Sequence, residues 1–194
     1  MFTQAAAKKT ATWLIQGGQV AEDDRVVYEF GLDKLFSSLA NFFSAMILGL
    51  LFEVPLQAVV FYVAYTMIRV YAGGYHAEKP LTCFFVSIGA LVPCLVAIRF
   101  YQVWSVPVVF WGLLVVSVVV LVMFGPVEHK NKMLDDVERV VYRHQMLKKM
   151  TIVATAAVGL AVFSLNSFSV AVLYGILLAA VATIAGKMKL TLQF

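Results

Sequence analysis

The chain has 194 residues, 62% hydrophobic and 13% charged, with 15 Lys and Arg against 11 Asp and Glu and a net charge of +4. Soluble domains carry roughly 45–50% apolar and about 25% charged residues, so an ordinary water-soluble globule is excluded. The basic excess must then be read from where the charges sit.

Residues 1–34 contain no uninterrupted apolar core of the kind a signal peptide needs, which predicts insertion of the chain as it stands. Trp13, Leu14, Ile15, Val26, Val27, Phe30 and Leu32 alternate with Glu22, Asp23, Asp24, Arg25, Glu29 and Asp33. This mixture predicts an amphipathic segment at headgroup level, or one covering a face of the membrane domain, with Asp23 or Asp24 as a helix cap.

Beyond it, charge-free stretches run over Leu35–Phe52, Val54–Ile68, Pro80–Ile98, Phe100–Val127 and Met150–Gly186. A bilayer core of about 30 Å takes roughly 17–25 apolar residues as helix. The last stretch has 37 residues, enough for two passes, with Asn166-Ser167 as the place to turn back. Six spans are therefore predicted, near 35–52, 54–70, 81–98, 104–125, 150–165 and 168–186, the second and fifth being short. The fold class is all-α: one polytopic membrane domain over 1–194, with 1–34 interfacial and 35–186 carrying the helices and their loops at 69–80 and 126–149. The second loop opens with Gly125-Pro126, and Val137, Val140, Val141 and Met146 predict a short amphipathic helix within it. Small residues at Gly49, Gly89, Gly112, Gly159 and Gly175 offer surfaces for helix packing.

Threading six spans puts every basic residue but Arg99 on one side. Lys and Arg accumulate in cytoplasmic loops, so both termini and the loops 69–80 and 126–149 are expected in the cytoplasm. The positive charge thus reports topology, and nucleic acid is not an expected partner.

Reactive groups near the spans are few: Glu53, Arg69, His76, Cys83, Cys94 and Arg99. Glu53 and Arg99 fall at span ends, where charge is ordinary, and Cys94 lies deep in an apolar run. Cys83 and Cys94, 11 residues apart in one predicted helix, are some 16 Å apart, beyond disulfide reach. Arg69, His76 and Cys83 share the segment RVYAGGYHAEKPLTC. A continuous helix would hold His76 and Cys83 about 10 Å apart, too far for the roughly 2.6–3.2 Å contact a base needs. Gly73-Gly74 and Pro80 supply the break. Pro80 at the first helical position places Cys83 in the first turn of the third span, where unpaired N–H groups and the helix dipole favour a thiolate. A Cys with a His partner is the minimum equipment for acyl transfer through a covalent intermediate. A structural Cys beside a loop His is the plainer alternative. Metal is not expected, since His76, Cys83, His129 and His144 lack the paired close spacing of a zinc site, and no cofactor is expected. A phosphate loop of the G-x-x-x-x-G-K type is absent, which argues against an ATP-driven transporter.

With Arg69, Gly73-Gly74, His76-Ala77, Cys83 and Ser87, then the Pro126-Val-Glu-His-Lys-Asn-Lys run after the fourth span, the sequence resembles the AgrB family, membrane cysteine endopeptidases of bacterial peptide quorum sensing. The resemblance covers nearly the whole chain and implies a bacterial cell-membrane enzyme, a homodimer, that cleaves an AgrD-type precursor with an amphipathic N-terminal part and an acidic C-terminal part. It implies Cys83 as nucleophile and His76 as general base, with an acyl-enzyme thioester resolved into a cyclic thiolactone or lactone. For Arg69, Gly73 and Gly74 it gives position without role: Arg69 either pairs with an acidic group of the precursor or orients the loop through a backbone carbonyl. Glu78 either orients His76 or is a solvated loop charge. The basic residues between 130 and 149 either attract the acidic precursor tail or simply mark the cytoplasmic side. The competing functional class is a non-enzymatic membrane protein that binds or exports a peptide.

Overall fold

The computed structural model describes residues 2–75, 77, 80–101, 107–127 and 135–192. Among them the chain forms seven α-helices and no strand: α1 (Phe2–Gln16), α2 (Arg25–Leu51), α3 (Pro55–Ala72), α4 (Pro80–Arg99), α5 (Pro107–Phe124), α6 (Asp136–Val162) and α7 (Asn166–Thr191). Five of them, α2, α4, α5, α6 and α7, are long and apolar enough to cross a membrane by length and composition. α3, the counterpart of the second predicted span, falls outside that set because Gln57, Arg69 and three tyrosines dilute its 18 residues. The protein is an all-α polytopic membrane protein.

The elements depart from the sequence expectation in three places. Residues 1–34 are not one continuous element: α1 folds back on α2 through the buried Ala7 and Ala11, Arg25 reaches Thr12 at 3.1 Å, and α2 already begins at Arg25. Asp24 sits at the N-cap position of α2, but its side chain makes no capping bond. The amphipathic stretch after Gly125-Pro126 is not a separate short helix. It is the first part of α6, which runs unbroken for 27 residues through the fifth predicted span. Its start is set by a capping box, in which the Asp135 carboxylate accepts from the Glu138 N–H at 2.6 Å and the Glu138 carboxylate accepts from the Asp135 N–H at 3.4 Å. Last, the turn between α6 and α7 lies at residues 163–165, with Ser164 at φ 60, so Asn166 opens the next helix rather than making the turn.

α3 and α7 form the centre. Small residues let two helices approach closely in a membrane bundle, and here Ala58, Ala64 and Ala72 on α3 and Ala171, Gly175, Ala179 and Ala180 on α7 are all buried, with Ala64 against Gly175 and Ala58 against Gly49 of α2. A Cβ added at Gly175 would lie 2.9 Å from the Ala64 Cβ and 2.9 Å from the Phe61 carbonyl oxygen. One core cluster joins α3 and α7 to Leu114 and Leu121 of α5 and to Met146, Met150, Val153 and Ala157 of α6. The other joins them to Ala45 of α2 and Leu91, Leu95 and Ile98 of α4. Three buried hydroxyls in the central helices each have a partner: Ser117 donates to the Leu113 carbonyl at 2.7 Å, Thr183 to Ala179 at 2.8 Å, and Ser169 across helices to Ala157 at 2.7 Å.

The connections gather at two ends. At one end Gly73 pairs with Val127 in a single parallel bridge, Tyr75 meets α7 at Ala182, and Lys187 stands 4.8 Å from the centre of the Phe124 ring. At the other end Arg99 pairs with Glu53 at 2.6 Å, and Gln57 reaches Ser167 at 3.5 Å.

Candidate functional site

The first end holds the segment that carries the predicted chemistry. α3 stops at Ala72 because Gly73 takes φ 68, and the Gly73 N–H closes the helix on the Arg69 carbonyl at 3.2 Å. Gly74 follows at φ 121, a conformation open to glycine and strained for a residue with a Cβ. The helix resumes as α4 at Pro80, whose fixed φ and missing N–H suit a first helical position.

Three contacts hold the break in place. The Val127 N–H donates to the Ala72 carbonyl at 2.9 Å, and the Tyr75 N–H donates to the Ala182 carbonyl at 2.8 Å. The Arg69 guanidinium folds over the turn, donating from Nη1 to the Gly73 carbonyl, from Nη2 to the Tyr75 carbonyl at 2.7 Å and from Nε to the Tyr65 hydroxyl at 3.3 Å. Five donors in a planar fork let one guanidinium serve several carbonyls at once, and these bonds are charge-assisted. Arg69 therefore engages backbone oxygens of the loop at Gly73 and Tyr75.

Cys83 is half-buried in the first turn of α4 and is not in a disulfide. Its carbonyl accepts from the Ser87 hydroxyl at 2.9 Å, and Leu81 and Phe85 beside it are exposed. α4 buries Leu91, Leu95 and Ile98 in its second half only, so the half carrying Cys83 stands off from the core. His76 and Glu78 lie outside the described residues, as do Lys79, His129 and the basic residues Lys130 and Lys132. Tyr75, to which His76 is joined, is pinned through both its N–H and its C=O. Among the described residues no group of three His, Cys, Asp or Glu could hold a metal ion.

Some partners were not visible in the sequence. Gly186 and Ala182 on α7 form the surface beneath Gly74, and Val127 pairs with Gly73. Gly186 is the last residue of the final charge-free run, and nothing in a single sequence says which loop a helix end receives. Arg143 on α6 donates to the Val122 carbonyl at 3.2 Å, closing the C-terminal end of α5.

The family model described as Accessory gene regulator B matches residues 7–184, which include the whole Arg69 to Cys83 segment. The chain belongs to the AgrB family. An AgrB-like protein (protein 2) of Clostridium perfringens strain 13 is 30% identical over 111 residues, and an AgrB-like protein of C. perfringens strain SM101 is 30% identical over the same length. In both cases the match covers 55% of this chain and 52% of the relative, so the chain spans about half the length of these curated relatives. No solved structure matches. For an AgrB-family chain, the glycine break between α3 and α4 is thus the segment on which fixed backbone geometry and candidate reactive groups coincide.

Proposed function

We propose that this AgrB-family protein is a membrane cysteine endopeptidase that cleaves an AgrD-like precursor peptide and closes its product into a ring, with Cys83 as nucleophile and His76 as general base. The observation that carries this reading is the placement of Cys83 three residues after Pro80 at the start of α4, directly beyond a loop whose backbone is tied down at Gly73 and Tyr75. A nucleophile and base need a fixed mutual geometry, and the helix N-terminus carries unpaired N–H groups that suit negative charge.

In this mechanism His76 removes the proton from the Cys83 thiol, and the sulfur attacks the carbonyl that precedes the acidic C-terminal part of the precursor. The C–N bond breaks, His76 returns the proton to the leaving amine, and a thioester joins the precursor to Cys83. An internal Cys or Ser of the precursor then loses its proton to His76 and attacks that thioester, and Cys83 leaves as the ring closes. A thioester is exchanged for a thiolactone or lactone, so ring closure needs no ATP. Hydrolysis of the thioester is the competing loss, and a membrane-surface site limits it by excluding water.

The first end of the bundle, with Arg69, Arg143, Lys187 and Lys189, is assigned to the cytoplasm by the positive-inside rule, and both termini with it. Its charge suits an acidic precursor tail.

Co-expression of the precursor with the unaltered protein, Cys83→Ala and His76→Ala tests the reading. Both variants are expected to leave the precursor uncut while still accumulating in the membrane. Normal cleavage by both would overturn the mechanism and favour a peptide-binding or export protein, and a reporter fusion in the 126–149 region found outside the cell would overturn the orientation.

A further inference from the structure

The peptidase reading uses α3, the loop and α4. It gives no role to the end of α7, yet the loop lies against it. The Tyr75 N–H donates to the Ala182 carbonyl at 2.8 Å. A helical carbonyl has a second lone pair beyond the one its own ladder uses, but a side chain one turn further along normally lies over that position. Here the residue one turn further along is Gly186. A Cβ added at Gly186 would lie 2.4 Å from the Gly74 carbonyl carbon, 2.5 Å from its Cα and 2.6 Å from the Tyr75 nitrogen. The loop is bare on the opposing side as well, since a Cβ on Gly74 would lie 2.5 Å from the Ala182 oxygen. Gly74 and Gly186 are both buried, and Lys189 places its Nζ 5.3 Å from the centre of the Tyr75 ring.

We propose that α7 is the seat of the reactive loop, with Gly186 and the Ala182 carbonyl as positioning elements that set the direction in which the chain leaves Tyr75 towards His76. The inference rests on the peptidase reading. Its physical content is that one residue, Tyr75, has its N–H committed to α7 and its C=O committed to Arg69 of α3. The next residue therefore starts from a backbone fixed by the central helix pair. A methyl group at Gly186 has backbone, not a flexible side chain, in its way, so the loop must lift. A displacement near 1 Å at a reacting group costs on the order of 100-fold in rate.

The test uses the full chain in lipid vesicles with a synthetic precursor, comparing the unaltered protein, Gly186→Ala, Gly159→Ala, Cys83→Ala and His76→Ala. Gly159 has nothing within 4 Å of an added Cβ and serves as the helical control. Gly186→Ala is expected to lose about 100-fold in kcat with KM changed by less than about twofold, while Gly159→Ala keeps both. Hydrogen exchange supplies a readout independent of catalysis: the Tyr75 amide is expected to be protected in the unaltered protein and to exchange faster in Gly186→Ala. Rapid exchange of that amide in the unaltered protein overturns the seat even where Gly186→Ala fails to accumulate. If Cys83→Ala and His76→Ala are inactive and Gly186→Ala cleaves at the normal rate, the positioning role alone fails. If Cys83→Ala and His76→Ala still cleave, the peptidase reading fails, and the exchange result still judges the seat.

Discussion

The Arg69 guanidinium and the Tyr75 carbonyl are joined at 2.7 Å across the break between α3 and α4. The same side chain reaches the Gly73 carbonyl and the Tyr65 hydroxyl, so it replaces the helical ladder that the glycines interrupt. Arg69→Lys keeps the charge but offers one donor group in place of a fork. It is expected to lower precursor processing at least tenfold and to cost about 2 kcal/mol, the scale of a hydrogen bond to a charged group. Vesicle cleavage assays and thermal unfolding in detergent check this, and equal processing by Lys would sink the clamp.

Gly73 and Gly18 have nearly the same φ, 68 and 69, in different surroundings. A Cβ on Gly18 would meet nothing within 4 Å, whereas one on Gly73 would lie 2.1 Å from the Val127 oxygen. Left-handed geometry costs a non-glycine residue about 1–2 kcal/mol. Gly18→Ala is expected to lose about that much, while Gly73→Ala, at φ 68 and ψ −147 outside the left-handed helical region, loses more and also parts Gly73 from Val127. Thermal unfolding of the two variants side by side measures the difference. Equal losses would mean that the bridge to Val127 contributes nothing.

Much of this site was legible because the chain is so apolar: a polar group between charge-free runs stands out, and Gly73-Gly74 with Pro80 announces a helix break through backbone chemistry alone. Span positions followed from the same runs. What escaped was whatever depends on a distant partner. Gly186 reads as one more small residue near a helix end until Gly74 is found against it. Of the five glycines offered as packing surfaces, Gly49 and Gly175 press on neighbouring helices, while Gly89, Gly112 and Gly159 have open space around them. The extent of α6 was missed for a local reason: the Asp135 to Glu138 capping box was readable, but the charge of the stretch after it pointed to a loop rather than to the start of a long helix.

At the far end of the bundle, Arg99 and Glu53 form an ion pair at 2.6 Å with side chains 44% and 73% exposed. Exposed pairs contribute about 0–1 kcal/mol because solvent screens them and two side chains must be held still. Arg99→Ala and Glu53→Gln are each expected to change stability by less than about 1 kcal/mol and to leave processing unaltered, since both residues stand away from the Gly73 loop. Unfolding at low and high salt checks the first part. A large loss at either position would show that the pair fixes how α4 meets the turn after α2.

The contact between Gly175 of α7 and Ala64 of α3 links the packing of the core to the loop. Adding a methyl group at Gly175 brings it to 2.9 Å from both the Ala64 Cβ and the Phe61 carbonyl oxygen, so the two helices must part or tilt. Overpacking of this kind costs about 1–3 kcal/mol, offset in part by the roughly 1 kcal/mol that alanine gains over glycine within a helix. The effect reaches further than stability. Arg69 lies five residues along α3 from Ala64, and Ala182 lies two helical turns along α7 from Gly175, so the helices being parted are the two that hold Tyr75. Gly175→Ala is therefore expected to lower processing along with stability, and Gly159→Ala, with open space around it, to do neither. Adding Ala64→Gly to Gly175→Ala removes the opposing methyl group, and the double variant is expected to recover part of both losses, with a coupling of about 0.5–3 kcal/mol. Simple additivity of the two substitutions would show that the helices do not press on each other there.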